Sequence, residues 1–145
     1  EWFNPGDKPF FVVDIGPCKI GMMICFDWIF PEIYRSYALQ GADLICHSTN
    51  LVLPFAQRAS FARAVENRMY IAVSNRTGRE TRGDHSLYFT GQSIAYSPRG
   101  EILLQADETE DFSGTFDVDT ELSRNKNITE RNHLIDDRRP EMYGL

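Results

Sequence analysis

The sequence of 145 residues is 42% hydrophobic and 12% aromatic, which suits a globular protein with a buried core. Its net charge of -6 argues against nucleic acid or an anionic membrane as the main partner, and no apolar stretch approaches the length of a membrane span. The three cysteines, an odd number at low density, favour a reducing cytoplasm over a disulfide framework.

Strands and helices alternate through the predicted elements of the first half. The predicted elements are a buried strand over residues 10–15, a strand over 19–25 that pairs with it, a helix over 31–40, a strand over 42–47, a helix over 55–68 with an apolar alanine face, and a strand over 70–74. Pro31 suits a first helical turn, and Gly41 is a natural stop after the last one. Strands joined through helices pair in parallel, so this order predicts an α/β layer.

The second half predicts antiparallel strands and a polar tail. The predicted segments are a charged exposed loop over 79–85, a hairpin formed by 87–96 and 101–104, a strand over 113–118, and an extended tail over 120–145. We expect that tail to pack across a neighbour or a second subunit. Nothing resembling a repeat or a linker interrupts the chain, which therefore forms one domain or part of one.

The segment CFDWIFPE, residues 25–32, is the strongest indication of chemistry. It places Cys25 where a strand turns into a helix, at the rim of a sheet and beside free backbone N–H groups that suit an oxyanion. A small cysteine is ordinarily a core residue, and we expect that role for Cys18 and Cys46. Because the sequence has neither CxxC nor HxxxH spacing, it predicts no metal site.

Six ordered blocks of sequence resemble the nitrilase superfamily of carbon–nitrogen hydrolases, across essentially the whole chain. The blocks are residues 3–7 (FNPGD), 19–28 (KIGMMICFDW) with 30–32 (FPE), 41–45 (GADLI), 63–68 (RAVENR), 74–78 (SNRTG), and 91–93 (GQS) with 97–101 (SPRGE). The resemblance implies an α-β-β-α sandwich and a Glu–Lys–Cys triad acting on an amide or nitrile without a cofactor. It implies Cys25 as nucleophile, the backbone N–H of Phe26 as oxyanion donor, and Asn50 as a substrate-binding residue.

Two members of that triad have no counterpart in this sequence. In the family, the base glutamate, the lysine and a further active-site glutamate all precede the turn at residues 3–7. Glu1 stands four residues before Pro5 rather than the family's six, and Lys8 and Lys19 lie on the approach to the nucleophile. We therefore expect residues 1–145 to be the C-terminal half of the domain, half of the α-β-β-α sandwich, and inactive alone, because a free thiol with a pKa of about 8.5 needs a base.

Other candidate residues have competing interpretations. His47 and Asn50 suggest a papain-like arrangement with a Cys–His pair, although the resemblance favours a strand-end role for His47. Glu32 fits the first turn of a helix and Glu66 a structural ion pair with Arg63 or Arg68, while Asp27 is suited to hold the turn after the nucleophile.

The sequence leaves the substrate open among nitriles, amides and N-carbamoyl compounds. Some family members that act on carboxylate-bearing amides have an arginine where Ile29 stands, so an ω-amidase is disfavoured. Relatives associate through helix faces and C-terminal tails that resemble residues 55–68 and 120–145, which predicts a homodimer or higher homo-oligomer. The alternative function is that of a catalytically inactive homologue that serves as a binding or assembly module.

Overall fold

The computed structural model describes residues 4–144 as a mixed α/β structure. The first elements are β1 (Val13–Asp14), β2 (Lys19–Ile24), a 3₁₀ helix (Cys25–Ile29), α1 (Pro31–Leu39), β3 (Leu44–Thr49), α2 (Ala56–Asn67) and β4 (Tyr70–Asn75). The remaining elements are β5 (Thr77–Arg82), β6 (His85–Thr90), β7 (Ile94–Tyr96), β8 (Ile102–Gln105), α3 (Thr120–Arg124), β9 (Asn127–Thr129), β10 (Asn132–His133) and a second 3₁₀ helix (Pro140–Met142). The candidate Glu1, and Phe3 of the first block, lie outside the described residues.

A six-stranded sheet in the order β1-β2-β3-β4-β7-β8 forms the centre of the molecule. The three strands linked by α1 and α2 pair in parallel, as helical crossovers require, and the outer strands pair antiparallel. The predicted α/β layer is therefore confirmed. The predicted strand over 42–47 lies two residues further along, so Ser48 and Thr49 belong to β3 rather than to a loop.

Helices α1 and α2 cover one face of this sheet. The cluster buried beneath them is formed by Met23, Ile33, Tyr34, Tyr37, Ala38, Ala42, Ile45, Ala64, Met69, Ile71, Val73, Ile94 and Tyr96. Gly21 allows the close approach of α1, because a Cβ at this position would lie 2.8 Å from the Tyr37 ring. The predicted alanine face of α2 is only partly correct, since Ala62 is exposed and the polar Gln57, Ser60 and Asn67 are buried.

The opposite face of the sheet is largely open. Met22 is 65% exposed and Ile24 is 68% exposed, although both lie on a strand whose other side is buried. Cys46 and Ala72 continue the row of Met22 across the neighbouring strands. The described chain therefore contains one helix layer and one sheet layer, which corresponds to half of an α-β-β-α sandwich.

The prediction of a buried strand over residues 10–15 is wrong in its extent and its burial. Only Val13 and Asp14 pair, at the edge of the sheet, and Phe11 is 59% exposed. The apolar pattern is that of a covered strand, but the contacts among residues 4–144 are partial: the Phe10 ring centroid lies 5.8 Å from that of Tyr37 in α1, and Val12 packs against the core. Apolar composition reports what a segment can bury, and the neighbouring layer decides whether it does.

The predicted loop over 79–85 is instead part of a β-hairpin. Strands β5 and β6 pair antiparallel from Thr77 with Thr90 to Arg82 with His85, and Leu87 belongs to this hairpin rather than to the one formed by β7 and β8. The two-residue turn has Gly83 at its first position with φ +57°, as tight hairpin turns favour. A Gly-Asp turn between charged residues was the sequence signal for this hairpin.

The predictions for the last third of the chain also need correction. Residues 113–118 form no strand, and residues 120–145 are not simply extended, since they contain α3 and a short β9–β10 hairpin. Asp119 caps α3 by accepting a hydrogen bond from the N–H of Glu121 at 2.9 Å. The segment 113–118 runs close to β8, and a Cβ at Gly114 would lie 3.2 Å from Leu104. No helix among the described residues is long and apolar enough to cross a membrane.

Candidate active site

A cleft of about 530 Å³ opens at the carboxyl ends of β2, β3 and β4. Its lining is formed by Ile24, Cys25, Ser48, Thr49, Asn50, Ser74, Asn75 and Arg76. Open sheets with parallel strands bind ligands beyond these carboxyl ends, where the loops to the following helices diverge. The cleft brings two sequence-predicted residues, Cys25 and Asn50, to one place.

Cys25 lies at the sharp turn where β2 ends and the 3₁₀ helix begins. Its φ of +43° is in the left-handed region, which is strained for a residue with a Cβ. Asp27 supports the turn, because its Oδ2 accepts a hydrogen bond from the N–H of Ile24 at 2.9 Å. The predicted role of Asp27 in holding the turn is thus confirmed, and Cys25 as a residue is half-buried.

The backbone N–H of Phe26 lies in the first turn of the 3₁₀ helix. Such a helix bonds each N–H to the carbonyl three residues earlier, so this N–H has no acceptor inside the helix. The Phe26 side chain is 60% exposed and contacts Phe30 edge-on, with 5.9 Å between ring centroids. The arrangement places a free backbone donor directly after the Cys25 thiol, where an oxyanion donor would be useful.

Asn75 is a residue of the cleft wall that sequence reasoning did not single out. Its Oδ1 accepts hydrogen bonds from the Leu51 N–H and the Thr49 hydroxyl, both at 2.8 Å. Its Nδ2 donates to the Thr90 hydroxyl at 3.0 Å and to the Gly91 carbonyl at 2.7 Å. Because these bonds link residues 49–51 to residues 90–91 through one side chain, Asn75 fixes the loop that presents Asn50. The signal was the SNRTG block at a strand end.

Arg76 is the charged residue of the cleft lining. Its guanidinium pairs with Glu80 Oε2 at 2.8 Å and lies 4.2 Å from the centroid of the Phe89 ring. Arg82 contacts the other oxygen of Glu80 at 2.7 Å. The hydrogen bonds from Arg76, with the Arg82 charge, lower the pKa of Glu80 below its ordinary value, so this carboxylate is unsuited to act as a base.

His47 contacts the backbone of Cys25 rather than its thiol. Its Nε2 lies 2.9 Å from the Cys25 carbonyl oxygen, and the side chain is 1% exposed. Burial lowers the pKa of His47 below its ordinary value, although the hydrogen bond to Cys25 opposes that shift. Among residues 4–144, no histidine forms a hydrogen bond to the Sγ of Cys25. The geometry therefore disfavours the papain-like pair and agrees with a strand-end position for His47.

The remaining candidates have structural surroundings. Glu66 pairs with Arg63 at 2.8 Å, so the predicted ion pair is confirmed, and Glu32 lies exposed in the first turn of α1. Burial raises the thiol pKa of both Cys18 and Cys46, which suits inert cysteines. Within the described part of the chain, no group of three His, Cys, Asp or Glu side chains could hold a metal ion.

Comparisons with known proteins identify relatives of this chain. The carbon-nitrogen hydrolase family model matches residues 1–126. The nitrilase of Pyrococcus abyssi is 49% identical over 142 residues, which are 98% of this chain and 53% of that protein. The N-carbamoylputrescine amidase of Arabidopsis thaliana is 31% identical over 160 residues, covering 99% of this chain and 52% of that protein.

A solved structure with the same fold carries a covalent adduct. In a variant of the amidase from Nesterenkonia sp. AN1, the acetamide moiety of fluoroacetamide is added to the active site cysteine. It matches this chain with a TM-score of 0.64 and 32% identity, over 74% of this chain and 40% of that one.

These matches show which family the chain belongs to, but they do not show which half of a family member it corresponds to. The chain spans about half the length of the curated relatives it matches, and its assignment to the C-terminal half stays a prediction. The family predicted from the six sequence blocks is confirmed by the match over residues 1–126. The chain belongs to the carbon-nitrogen hydrolase family.

Proposed function

We propose that this chain is the nucleophile-bearing, C-terminal half of a hydrolase that cleaves non-peptide carbon–nitrogen bonds in small amides or nitriles. The observation that carries the proposal is the turn at Cys25. Cys25 is half-buried, adopts a left-handed conformation at a strand end, lines a cleft and is followed by a backbone N–H that has no acceptor inside its helix. Strained residues at the rim of a sheet are typical of catalytic positions.

In the proposed reaction, the Cys25 sulfur attacks the substrate carbon and forms a carbon–sulfur bond. For an amide, the carbonyl π electrons move to oxygen, and the Phe26 N–H stabilises the resulting oxyanion. The carbon–nitrogen bond then breaks, the amine leaves with a proton, and a thioester remains. Water hydrolyses that thioester to a carboxylate and the free thiol. For a nitrile, the thiol adds across the carbon–nitrogen triple bond and forms a thioimidate. One water then adds to the thioimidate and ammonia leaves, which gives the same thioester, and a second water hydrolyses it. Asn50 contacts the substrate at the cleft wall.

The proposal requires groups from outside this chain. The residues that line the cleft within 4–144 include neither a glutamate nor a lysine. A glutamate base and a lysine, supplied by sequence before residue 1, complete the site. The open sheet face around Met22 and Ile24 supports this assignment, because a second sheet layer would cover those exposed side chains. General-base catalysis contributes about 10²–10⁴ in rate, so residues 1–145 alone should show no turnover.

The decisive experiment assays the complete protein on aliphatic nitriles, short amides and N-carbamoyl compounds. The similar proteins named nitrilase and N-carbamoylputrescine amidase motivate all three classes. We expect hydrolysis of at least one class and a loss of at least about 10³-fold in Cys25→Ala. A Cys46→Ala variant is the matched control, since that thiol lies in β3 outside the cleft lining. Full activity in Cys25→Ala would refute the proposal.

The second candidate is a catalytically inactive homologue that serves as a binding or assembly module, favoured by the lack of a base and a lysine in the described cleft lining. The sequence before residue 1 separates the two: a Glu and a Lys at the family motifs support the enzyme, and replacement of either supports the module.

We also propose a cytoplasmic homodimer or higher homo-oligomer. Phe61 on α2 is 48% exposed and Leu39 on α1 is 49% exposed, which suits helix faces that pack against a second copy. Sedimentation of the complete protein should give at least twice the monomer mass. A monomer at micromolar concentration would contradict this assignment.

A further inference from the structure

His47 is a polar side chain that the proposed reaction does not yet use. It lies on the helix-covered face of the sheet, in register between Met23 and Val73, where its neighbours in the row are apolar. The side chain is 1% exposed, and its Nδ1 is buried without a hydrogen-bond partner in the described structure. An unpaired buried ring nitrogen destabilises the fold, typically by about 1–3 kcal/mol, whereas an apolar residue here would avoid that penalty.

The other ring nitrogen makes one well-defined contact. Nε2 lies 2.9 Å from the carbonyl oxygen of Cys25. A carbonyl oxygen only accepts hydrogen bonds, so Nε2 carries the hydrogen and the neutral ring has a bare Nδ1. The histidine therefore donates from the protein interior to the backbone of the nucleophile, 22 residues away in sequence.

This contact fixes the peptide unit between Cys25 and Phe26. A trans peptide is planar, with its C=O and N–H pointing in opposite directions, and the described chain has no cis peptide bond. Since the Cys25 carbonyl points inward to the buried His47, the Phe26 N–H points away from the interior. The direction of the proposed oxyanion donor is thus set by a hydrogen bond on the other side of the same peptide unit.

The turn needs such an anchor because its conformation is strained. A left-handed φ on a residue with a Cβ raises the free energy by about 1–3 kcal/mol and persists only where surrounding contacts hold it. Asp27 holds the Met23–Ile24 peptide through the Ile24 N–H, and His47 holds the peptide after Cys25. Among residues 4–144, the His47 contact is the side-chain hydrogen bond that reaches this peptide unit from outside the 3₁₀ helix.

We propose that His47 is a positioning residue that orients the Phe26 backbone N–H as the oxyanion donor by binding the Cys25 carbonyl oxygen. The inference rests on the proposed function, in which Cys25 is the nucleophile. It differs from a Cys–His pair, because His47 neither contacts the thiol nor transfers a proton. The role requires a donor at the position of Nε2 and nothing else from the imidazole.

Matched substitutions in the complete protein test that requirement. His47→Gln carries an amide donor close to the position of Nε2, His47→Asn carries one near Nδ1, and His47→Leu carries none. We expect kcat to fall about 10–100-fold in His47→Leu and His47→Asn, which is less than the roughly 10²–10³ lost with a whole oxyanion donor. His47→Gln should stay within about threefold of wild type, and KM should change little in all three.

Two probes of Cys25 separate positioning from a general structural effect. Butyraldehyde adds to the thiol: sulfur forms a bond to the carbonyl carbon, the π electrons move to the carbonyl oxygen, and that oxygen then accepts the thiol proton. The affinity for butyraldehyde therefore reports on the oxyanion donor. Iodoacetamide alkylates sulfur with loss of iodide and forms no oxyanion. In His47→Leu we expect aldehyde affinity to fall by the same factor as kcat and the alkylation rate to stay within about twofold.

Three outcomes would overturn the inference: unchanged aldehyde affinity in His47→Leu, an equal loss in aldehyde affinity and alkylation, or no advantage of His47→Gln over His47→Asn. If His47→Leu does not fold, the comparison of Gln with Asn decides alone. Cys25→Ala separates this inference from the proposed function. If Cys25→Ala keeps its activity, the proposed function fails; if it is inactive while all His47 variants match wild type, only the positioning role fails.

Discussion

Asp43 at the amino ends of the parallel strands β2, β3 and β4 and the Cys25 turn at their carboxyl ends differ in how completely their polar groups are paired. At the amino ends, Asp43 is completely buried and its backbone joins the first residues of β2 and β4, with hydrogen bonds of 2.7 Å to the Lys19 carbonyl and 2.9 Å from the Tyr70 N–H. Its carboxylate accepts hydrogen bonds from the Lys19 N–H, Ser123 and Arg124. Both backbone groups and both carboxylate oxygens of Asp43 are therefore paired.

The carboxyl ends instead carry strain and unpaired groups. Cys25 has a left-handed φ of +43°, the Phe26 N–H has no acceptor in its helix, and His47 Nδ1 is buried without a described partner. The same sheet thus has a fully paired cluster around Asp43 at one end, the saturated end, and a strained turn at Cys25 at the other, the strained end. This contrast indicates that the fold is less stable around the Cys25 turn. Strained conformations and unpaired groups ordinarily occur at functional sites and are compensated by favourable contacts elsewhere.

The largest expected effect lies at the saturated end. Asp43→Ala should lower the free energy of unfolding by about 3 kcal/mol, because it leaves buried donors of Ser123 and Lys19, and the Arg124 guanidinium, without their acceptor. Urea unfolding of the complete protein measures the change. Glu141→Ala is the control, since its pair with Arg139 is exposed on both sides and should matter by less than about 0.5 kcal/mol. An equal effect of the two variants would remove the distinction between the ends.

A smaller effect is expected from removing the cation of the same cluster. Burial by itself would raise the pKa of Asp43, but hydrogen bonds from Arg124, Ser123 and the Lys19 amide outweigh it and hold the pKa below its ordinary value of 3.8. A carboxyl with a lowered folded-state pKa stabilises the fold above its unfolded pKa and loses that contribution as pH falls. Arg124→Met should therefore be less stable than wild type at pH 7 and approach it as the pH falls below 3.8.

Unfolding in urea at pH 7 and at pH 3 provides the measurement for Arg124→Met. Arg139→Met removes an exposed cation and should show no gap at either pH. A stability gap that is the same at both pH values would mean that Arg124 acts through packing rather than through the charge of Asp43.

The smallest expected effect lies at the strained end and has the opposite sign. Cys25→Gly should be more stable than Cys25→Ala by about 1 kcal/mol, since glycine adopts a positive φ without steric strain. Ala62→Gly, at an exposed position in the middle of α2, should destabilise by a similar amount. Thermal unfolding compares the pairs. If glycine is less stable than alanine at both positions 25 and 62, the turn at Cys25 stores no strain.

Much of the layer could be predicted because its signals are local. Pro31 and Gly41 bound α1, and the apolar runs of β2 and β4 were recognised within a residue or two. The hairpin of β5 and β6 was missed because its strands are charged and only the Gly83 turn indicates it. The segment 10–15 was predicted as buried because its composition is apolar, whereas burial depends on a neighbouring layer.

The candidate site shows the same division. The sequence located Cys25 at a strand-to-helix turn with Asp27 beside it, because those residues are adjacent in the chain. It did not reveal the four hydrogen bonds by which Asn75 joins residues 49–51 to residues 90–91, or the contact between His47 and the Cys25 carbonyl. A local motif carries no information about the register of the strands on either side of it.

By itself, the sequence determined the family, the order of parallel strands and helices, and the position of the thiol, since hydrophobic period, turn residues and motif spacing are encoded over short stretches. Only the tertiary structure decided which face of the sheet is covered, which loops meet at the cleft and which side chain holds the peptide after Cys25. Those features depend on pairing between residues more than twenty positions apart, and that pairing is fixed by the packing of α1 and α2 against the sheet.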